Sequence, residues 1–114
     1  QWEDGWIVFQ DPNGNATVDG GERILRLNAG VDGGQVTIRS NDVGNLIANS
    51  VSFTSRGLPK ALNGGSQSGT FRICDERGLK VNADGTTTVA RGVNLSLSGK
   101  VRSTNQLAEI ASCP

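Results

Sequence analysis

Short alternating segments separated by turn signals run through the whole chain, and sustained 3.6-residue periodicity is absent. Trp6-Ile-Val-Phe9 is an apolar run bounded by Gly5 and Asp11-Pro12, and Ile24-Leu-Arg-Leu27 alternates as a half-buried strand does. Gln35-Val-Thr-Ile-Arg39 places Val36 and Ile38 on one face, and Val51-Ser-Phe-Thr54 places Val51 and Phe53 inward. In Gly69-Thr-Phe-Arg-Ile-Cys74, Phe71 and Ile73 share one face while Arg72 and Cys74 share the other. Val93, Leu95 and Leu97 point inward in the last hairpin, Ser98-Gly99 turns the chain, and Lys100-Val-Arg102 returns. Trp2 and Trp6, four apart, share a face if the first strand extends over both. Helical hints are confined to Asn45–Ala48 and Leu107–Ala111. The pattern predicts a mainly β fold, an antiparallel β-sheet or sandwich-like head domain.

The 114 residues suffice for one domain, 1–114, with one core. Hydrophobic residues make up 35% and five residues are aromatic, so that core is thin. A covalent staple would support it. Cys74 and Cys113 are the candidates, and closing their loop corresponds to roughly 3.5–4 kcal/mol in the chain-entropy model. A terminal segment gains most from being tied down, which favours a disulfide and an oxidising compartment. Two buried free thiols are the alternative.

Net charge is zero but unevenly spread. Residues 1–50 hold seven acids against Arg23, Arg26 and Arg39; residues 51–114 hold eight bases against Asp75, Glu76, Asp84 and Glu109. Such asymmetry marks either an interaction face or an ordinary mixed surface.

Asp11-Pro-Asn-Gly-Asn-Ala-Thr-Val-Asp-Gly-Gly-Glu22 carries oxygen-bearing side chains at Asp11, Asn13, Asn15, Thr17, Asp19 and Glu22. These are positions 1, 3, 5, 7, 9 and 12 of a calcium loop. Its sixth position is Ala16 rather than glycine, and strands rather than helices flank it. A solvated loop between two strands is the reading favoured over calcium.

Gly5-Trp-Ile-Val-Phe9, Asp11-Pro-Asn-Gly-Asn15, Asp19-Gly-Gly-Glu22 and Ile24-Leu25 resemble a strand-loop-strand of minor pilins of the FimT/FimU type, relatives of the H-type pseudopilin of type II secretion systems. Val51-Ser-Phe53, Gly69-Thr-Phe-Arg-Ile-Cys74-Asp-Glu-Arg-Gly78, Ala90-Arg-Gly-Val93 and Leu95-Ser-Leu-Ser-Gly-Lys-Val-Arg102 continue the resemblance in order. It implies an extracytoplasmic head domain, without the long N-terminal helix that family members carry. That helix would anchor the precursor in the inner membrane before the subunit enters the pilus at the cell surface. The implied function is a minor pilus subunit at or near the tip, helping to initiate assembly and packing against other pilins. Trp2, Glu3, Asp4 and Arg23 are contact candidates. A missing upstream cysteine as partner of Cys74 or Cys113 stays open.

The FimT branch is linked to DNA uptake, and its Gly-Arg-x-Arg pattern is similar to Gly99-Lys-Val-Arg102. On a strand, Lys100 and Arg102 project from one face and Val101 from the other. Arg72, Arg77, Lys80 and Arg91 extend this candidate DNA-binding patch if the fold gathers them. Three or four neutralised phosphates give weak, sequence-independent binding with a log–log salt slope near roughly −3.

Enzymatic chemistry is not expected. The chain has no His and no Tyr, and two cysteines cannot complete a zinc site. Adjacent Asp75 and Glu76 point apart on a strand or are solvated in a turn. No cofactor is implied.

Overall fold

The computed structural model describes residues 2–31, 35–41, 47–62 and 64–114. A 3₁₀ turn at Trp2–Asp4 leads into β1 (Gly5–Phe9), which pairs antiparallel with β2 (Ile24–Ala29) as a separate two-stranded ribbon. The remaining strands form an antiparallel meander: β3 (Thr37–Asn41), β4 (Gly69–Cys74), β5 (Arg91–Leu95) and β6 (Val101–Thr104), adjacent in that order. A single helical turn, α1 (Leu107–Ile110), follows and bears out one of the two helical hints. Residues 45 and 46 of the other hint lie outside the described residues.

Pairing register assigns the two faces of the meander. Opposed residues share a face, so Ile38, Phe71, Ile73, Val93, Leu95 and Val101 form one apolar side. Arg39, Arg72, Cys74, Gly92, Asn94, Arg102 and Thr104 form the other. The sequence pattern had Phe71 and Ile73 opposite Arg72 and Cys74, as the structure does.

The closed core lies on the second side. Cys74, Ala90 and Ile110 are buried together, with Leu79 and Cys113 packed against them. Gly92 makes the close approach of α1 possible. A Cβ there would stand 2.8 Å from Thr104 Cγ2 and 3.3 Å from Ile110 Cγ1. Cys74 and Cys113 are joined, with their Cα atoms 5.8 Å apart. Two residues earlier on β4, Arg72 donates from Nη1 to the Ser112 carbonyl at 3.1 Å and to its hydroxyl at 2.7 Å. The C-terminal tail is thus held along β4 at two consecutive residues.

Three strand expectations need correction. Val51–Thr54 is not a strand: its one ladder contact is an isolated bridge between Phe53 and Pro59, and Phe53 is 53% exposed rather than inward. The buried Gln67 side chain takes over the pairing. Its Oε1 accepts from Ser52 N at 2.9 Å and its Nε2 donates to Ser50 O at 3.0 Å. Leu97 is likewise exposed, because the chain turns over Leu97-Ser98-Gly99, with Gly99 N donating to Ser96 O. Trp2 does not share a strand face with Trp6, since it sits in the 3₁₀ turn and packs edge-on against Phe71, ring centroids 5.2 Å apart.

Gly99 holds the last hairpin against the loop Thr54–Leu58. At φ 84° it sits so close to Gly57 that a Cβ would stand 2.0 Å from the Gly57 carbonyl oxygen. The hairpin tip therefore has backbone packed beneath it.

Candidate functional site

An apolar cleft of about 1290 Å³ opens between the ribbon and the meander. Its floor is the apolar side of the sheet, including Phe71, Ile73, Val93 and Leu95; its far wall is β1, through Trp6, Ile7 and Val8. Of the floor residues, Leu95 is fully buried, whereas Phe71, Ile73 and Val93 are only half-buried. Across the cleft Trp6, Ile7 and Val8 are 38–45% exposed.

The dimensions agree with an unfilled space. The radius of gyration is 15.2 Å, against about 13.3 Å for a compact chain of this length. The accessible surface is 7312 Å², against roughly 5,900 Å² for a compact monomer of this mass. The molecule is thus more open than a compact chain of its length, and apolar side chains such as Leu27, Leu62 and Leu97 stand largely exposed.

Glu3 fixes the ribbon beside the meander. Its Oε2 accepts from the outward N–H of Ile38 at 3.2 Å, and its Oε1 is bonded by Arg39 Nη1. Glu3 thus satisfies a backbone donor on the open edge of β3. Burial pulls its carboxyl up, but the Arg39 hydrogen bond and the backbone donors outweigh that and leave it below the ordinary value of 4.5. Glu3, offered as a packing contact for neighbours, is engaged within the molecule.

The basic residues do not gather into one patch. Lys100, Arg102 and Arg72 do lie on the same side of the sheet, because Lys100 sits opposite Ser96 and Arg102 opposite Asn94. Arg91 projects from the opposite side, and Arg77 and Lys80 lie in the loop after β4. Most of these cations have internal partners. Arg102 is bonded to both Glu109 oxygens, Arg77 to Asp75 at 2.5 Å, and Arg91 donates to the carbonyls of Thr87, Thr88 and Ala90. Sequence reasoning missed these partners, since Glu109 and the carbonyls are brought in by α1 and by the 87–90 turn. Asp75, expected to be solvated if it lay in a turn, is instead paired with Arg77 two residues on.

The Asp11–Glu22 loop turns its oxygens on itself. Asp11 accepts from Asn15 N at 3.1 Å and Ala16 N at 2.8 Å, and Glu22 Oε2 accepts from Asp19 N at 2.8 Å. Asn13 and Asn15 both donate side-chain N–H groups to Asp19 Oδ2 at 2.7 Å, which lowers the Asp19 carboxyl below its usual range. Thr17 N donates to Asn15 Oδ1. Ala16 takes the left-handed conformation, φ 55°, at the position where a calcium loop has glycine. Among the described residues no three His, Cys, Asp or Glu side chains stand close enough to hold a metal ion.

Compared with known families, residues 1–99 match the family described as type II transport protein GspH. No curated protein and no solved structure matches the chain significantly.

Proposed function

Because the chain belongs to the GspH family of type II transport proteins, we propose that it is a non-enzymatic assembly subunit, the head domain of a minor pilin or pseudopilin. Family members are extracytoplasmic, membrane-anchored subunits, and association with other pilin-like subunits follows from that membership. Among the described residues no helix is long and apolar enough to cross a membrane. The finer reading is a FimT/FimU-type subunit placed at or near a pilus tip, where it helps start assembly.

The observation that carries this reading is the open apolar cleft. Its volume is what a helix 10–12 Å across fills over two to three turns. The helix that the family resemblance places ahead of the head domain has the apolar surface to close it. Filling it would bury the half-exposed Phe71, Ile73 and Val93.

The test is incorporation into sheared filament fractions. Val93→Asp, on the cleft floor, should abolish incorporation while the disulfide and the far-ultraviolet spectrum persist. Leu27→Asp, on the outer strand of the ribbon, should leave incorporation unchanged. Normal incorporation of a folded Val93→Asp subunit would sink the reading.

A second reading is a pilus subunit that touches DNA through the last hairpin. It is supported by Lys100 and Arg102 standing exposed on one side of the hairpin. It is weakened by the engagement of Arg102, Arg77 and Arg91 described above.

A further inference from the structure

The turn of the last hairpin and the loop 54–58 make one doubled tip, because Gly99 touches the backbone of Gly57. Arg56, Leu58 and Lys100 each stand one residue from that contact. Consecutive Cα atoms are about 3.8 Å apart, so the three Cα atoms lie within about 14 Å of one another. Lys60 follows Pro59, whose Cδ would stand 3.6 Å from a Cβ on Gly99, and Leu97 precedes Ser98 in the turn. All five side chains are exposed, Leu97 by 61% and Leu58 by 43%. Of the five, only Lys60 also lines the apolar cleft.

The charge of this tip has one sign. No Asp or Glu occurs between Asp42 and Asp75 or between Asp84 and Glu109, the two stretches that build it. Arg77, Arg91 and Arg102 are held by internal partners. Arg56, Lys60 and Lys100 differ: among the described residues they enter hydrogen bonds only through their backbones, and no carboxylate pairs with them.

We propose that the doubled tip docks on an anionic phospholipid surface, with Leu58 and Leu97 at the acyl boundary and Arg56, Lys60 and Lys100 among the headgroup phosphates. Exposed apolar side chains set among unpaired cations match the two layers of such an interface, one apolar and one negatively charged. A planar surface requires no convergence of side chains on one point; it meets whatever stands out from a tip. A nucleic-acid duplex offers the phosphates without the apolar layer and would leave both leucines in water. The inference does not depend on the assembly reading, since the isolated chain either binds such a surface or does not.

The experiment is co-sedimentation of the chain with mixed phosphatidylglycerol–phosphatidylcholine vesicles, with pure phosphatidylcholine vesicles alongside. The mixed vesicles should bind it and the pure ones should not, and binding should weaken as salt rises. Each cation near the surface is worth about fivefold in the partition constant. Arg56→Gln, Lys60→Gln and Lys100→Gln should therefore each weaken binding about fivefold, and together about a hundredfold. Depth is read with brominated lipid. The indole introduced by Leu97→Trp, and separately by Leu58→Trp, should be quenched beyond the wild-type level, whereas that of Leu27→Trp on the ribbon should not.

No binding to the mixed vesicles at low salt would overturn the proposal, as would full binding by the triple variant. Quenching of Leu27→Trp but of neither tip variant would place the contact on the ribbon and overturn it equally. Tighter binding to a duplex oligonucleotide than to the vesicles, or self-association of the wild-type chain that Leu97→Ser abolishes, would assign the tip to nucleic acid or to a second copy instead.

Discussion

Glu109, on the single turn of α1, accepts from both arms of the Arg102 guanidinium and from the Thr104 hydroxyl. The hydrogen bonds from Arg102 and then Thr104 lower its carboxyl below the ordinary value of 4.5, and burial opposes them weakly. A cation that the sequence offered to a phosphate is thereby committed to closing α1 onto the outermost strand.

That arrangement predicts acid sensitivity of a definite sign. Glu109 and Glu3 have folded-state values below their ordinary 4.5, so the unfolded chain binds protons more readily. The stability they contribute is fully present above 4.5 and is lost as pH falls through their folded-state values. Thermal melts should hold steady between pH 7 and 5 and drop below 4.5. Glu109→Gln should lower the melt at pH 7 by at most a few degrees and flatten that drop. A wild-type melt unchanged at pH 3.5 would contradict the linkage.

Reduction should matter more than acid. The bridge between Cys74 and Cys113 closes a loop with sequence separation 39, worth about 4 kcal/mol in the chain-entropy model. The Cys113→Ser variant, or the protein in reductant, should melt about 15 °C lower. A shift under about 3 °C would mean that the Arg72–Ser112 contact alone secures the tail.

The floor beneath α1 is equally specific. Ile110 is fully buried, and its truncation to alanine should cost about 2–5 kcal/mol. Gly92→Val should destabilise by a similar route in reverse, since even a Cβ would stand 2.8 Å from Thr104 Cγ2. Overpacking of this kind costs about 1–3 kcal/mol. Denaturant titrations of the two single variants and the double variant check both, and the double should fall short of additivity because the sites touch.

Duplex binding, measured by fluorescence anisotropy across salt concentrations, should be weak. Arg77, Arg91 and Arg102 already have internal partners, so the log–log salt slope should be about −2 or shallower rather than −3. Lys100→Gln should remove most of what binding there is. Binding with a slope steeper than about −4, unaffected by Lys100→Gln, would point to another basic surface.

Much of this fold was legible because strand faces announce themselves locally. Phe71 and Ile73 opposite Arg72 and Cys74 needed only period-two alternation, and the Cys74–Cys113 bridge needed only two cysteines and a tail. What failed depended on distant side chains. Val51–Thr54 alternates like a strand, yet Gln67 satisfies Ser52 and Ser50 and leaves no strand to pair with. Trp2 was misplaced because it lies in a 3₁₀ turn, where the neighbouring Glu3 accepts from Ile38 N on β3. Of the candidate sites, the cations could be named but their partners could not, because Glu109 and the 87–90 carbonyls reach them only in the folded chain. The apolar cleft was invisible for the same reason: alternation says which residues face inward, not whether anything lies against them.

The contact between Gly99 and Gly57 has a practical consequence. The tip of the last hairpin is not a free peninsula but one shore of a shared headland, whose other shore is the loop 54–58. A tag, a dye or an inserted epitope at residues 97–100 would push on both, and a change engineered to report on the hairpin alone would be read out through its neighbour as well. Labels intended to leave this hairpin undisturbed belong away from it, at an exposed position of the ribbon such as Leu27.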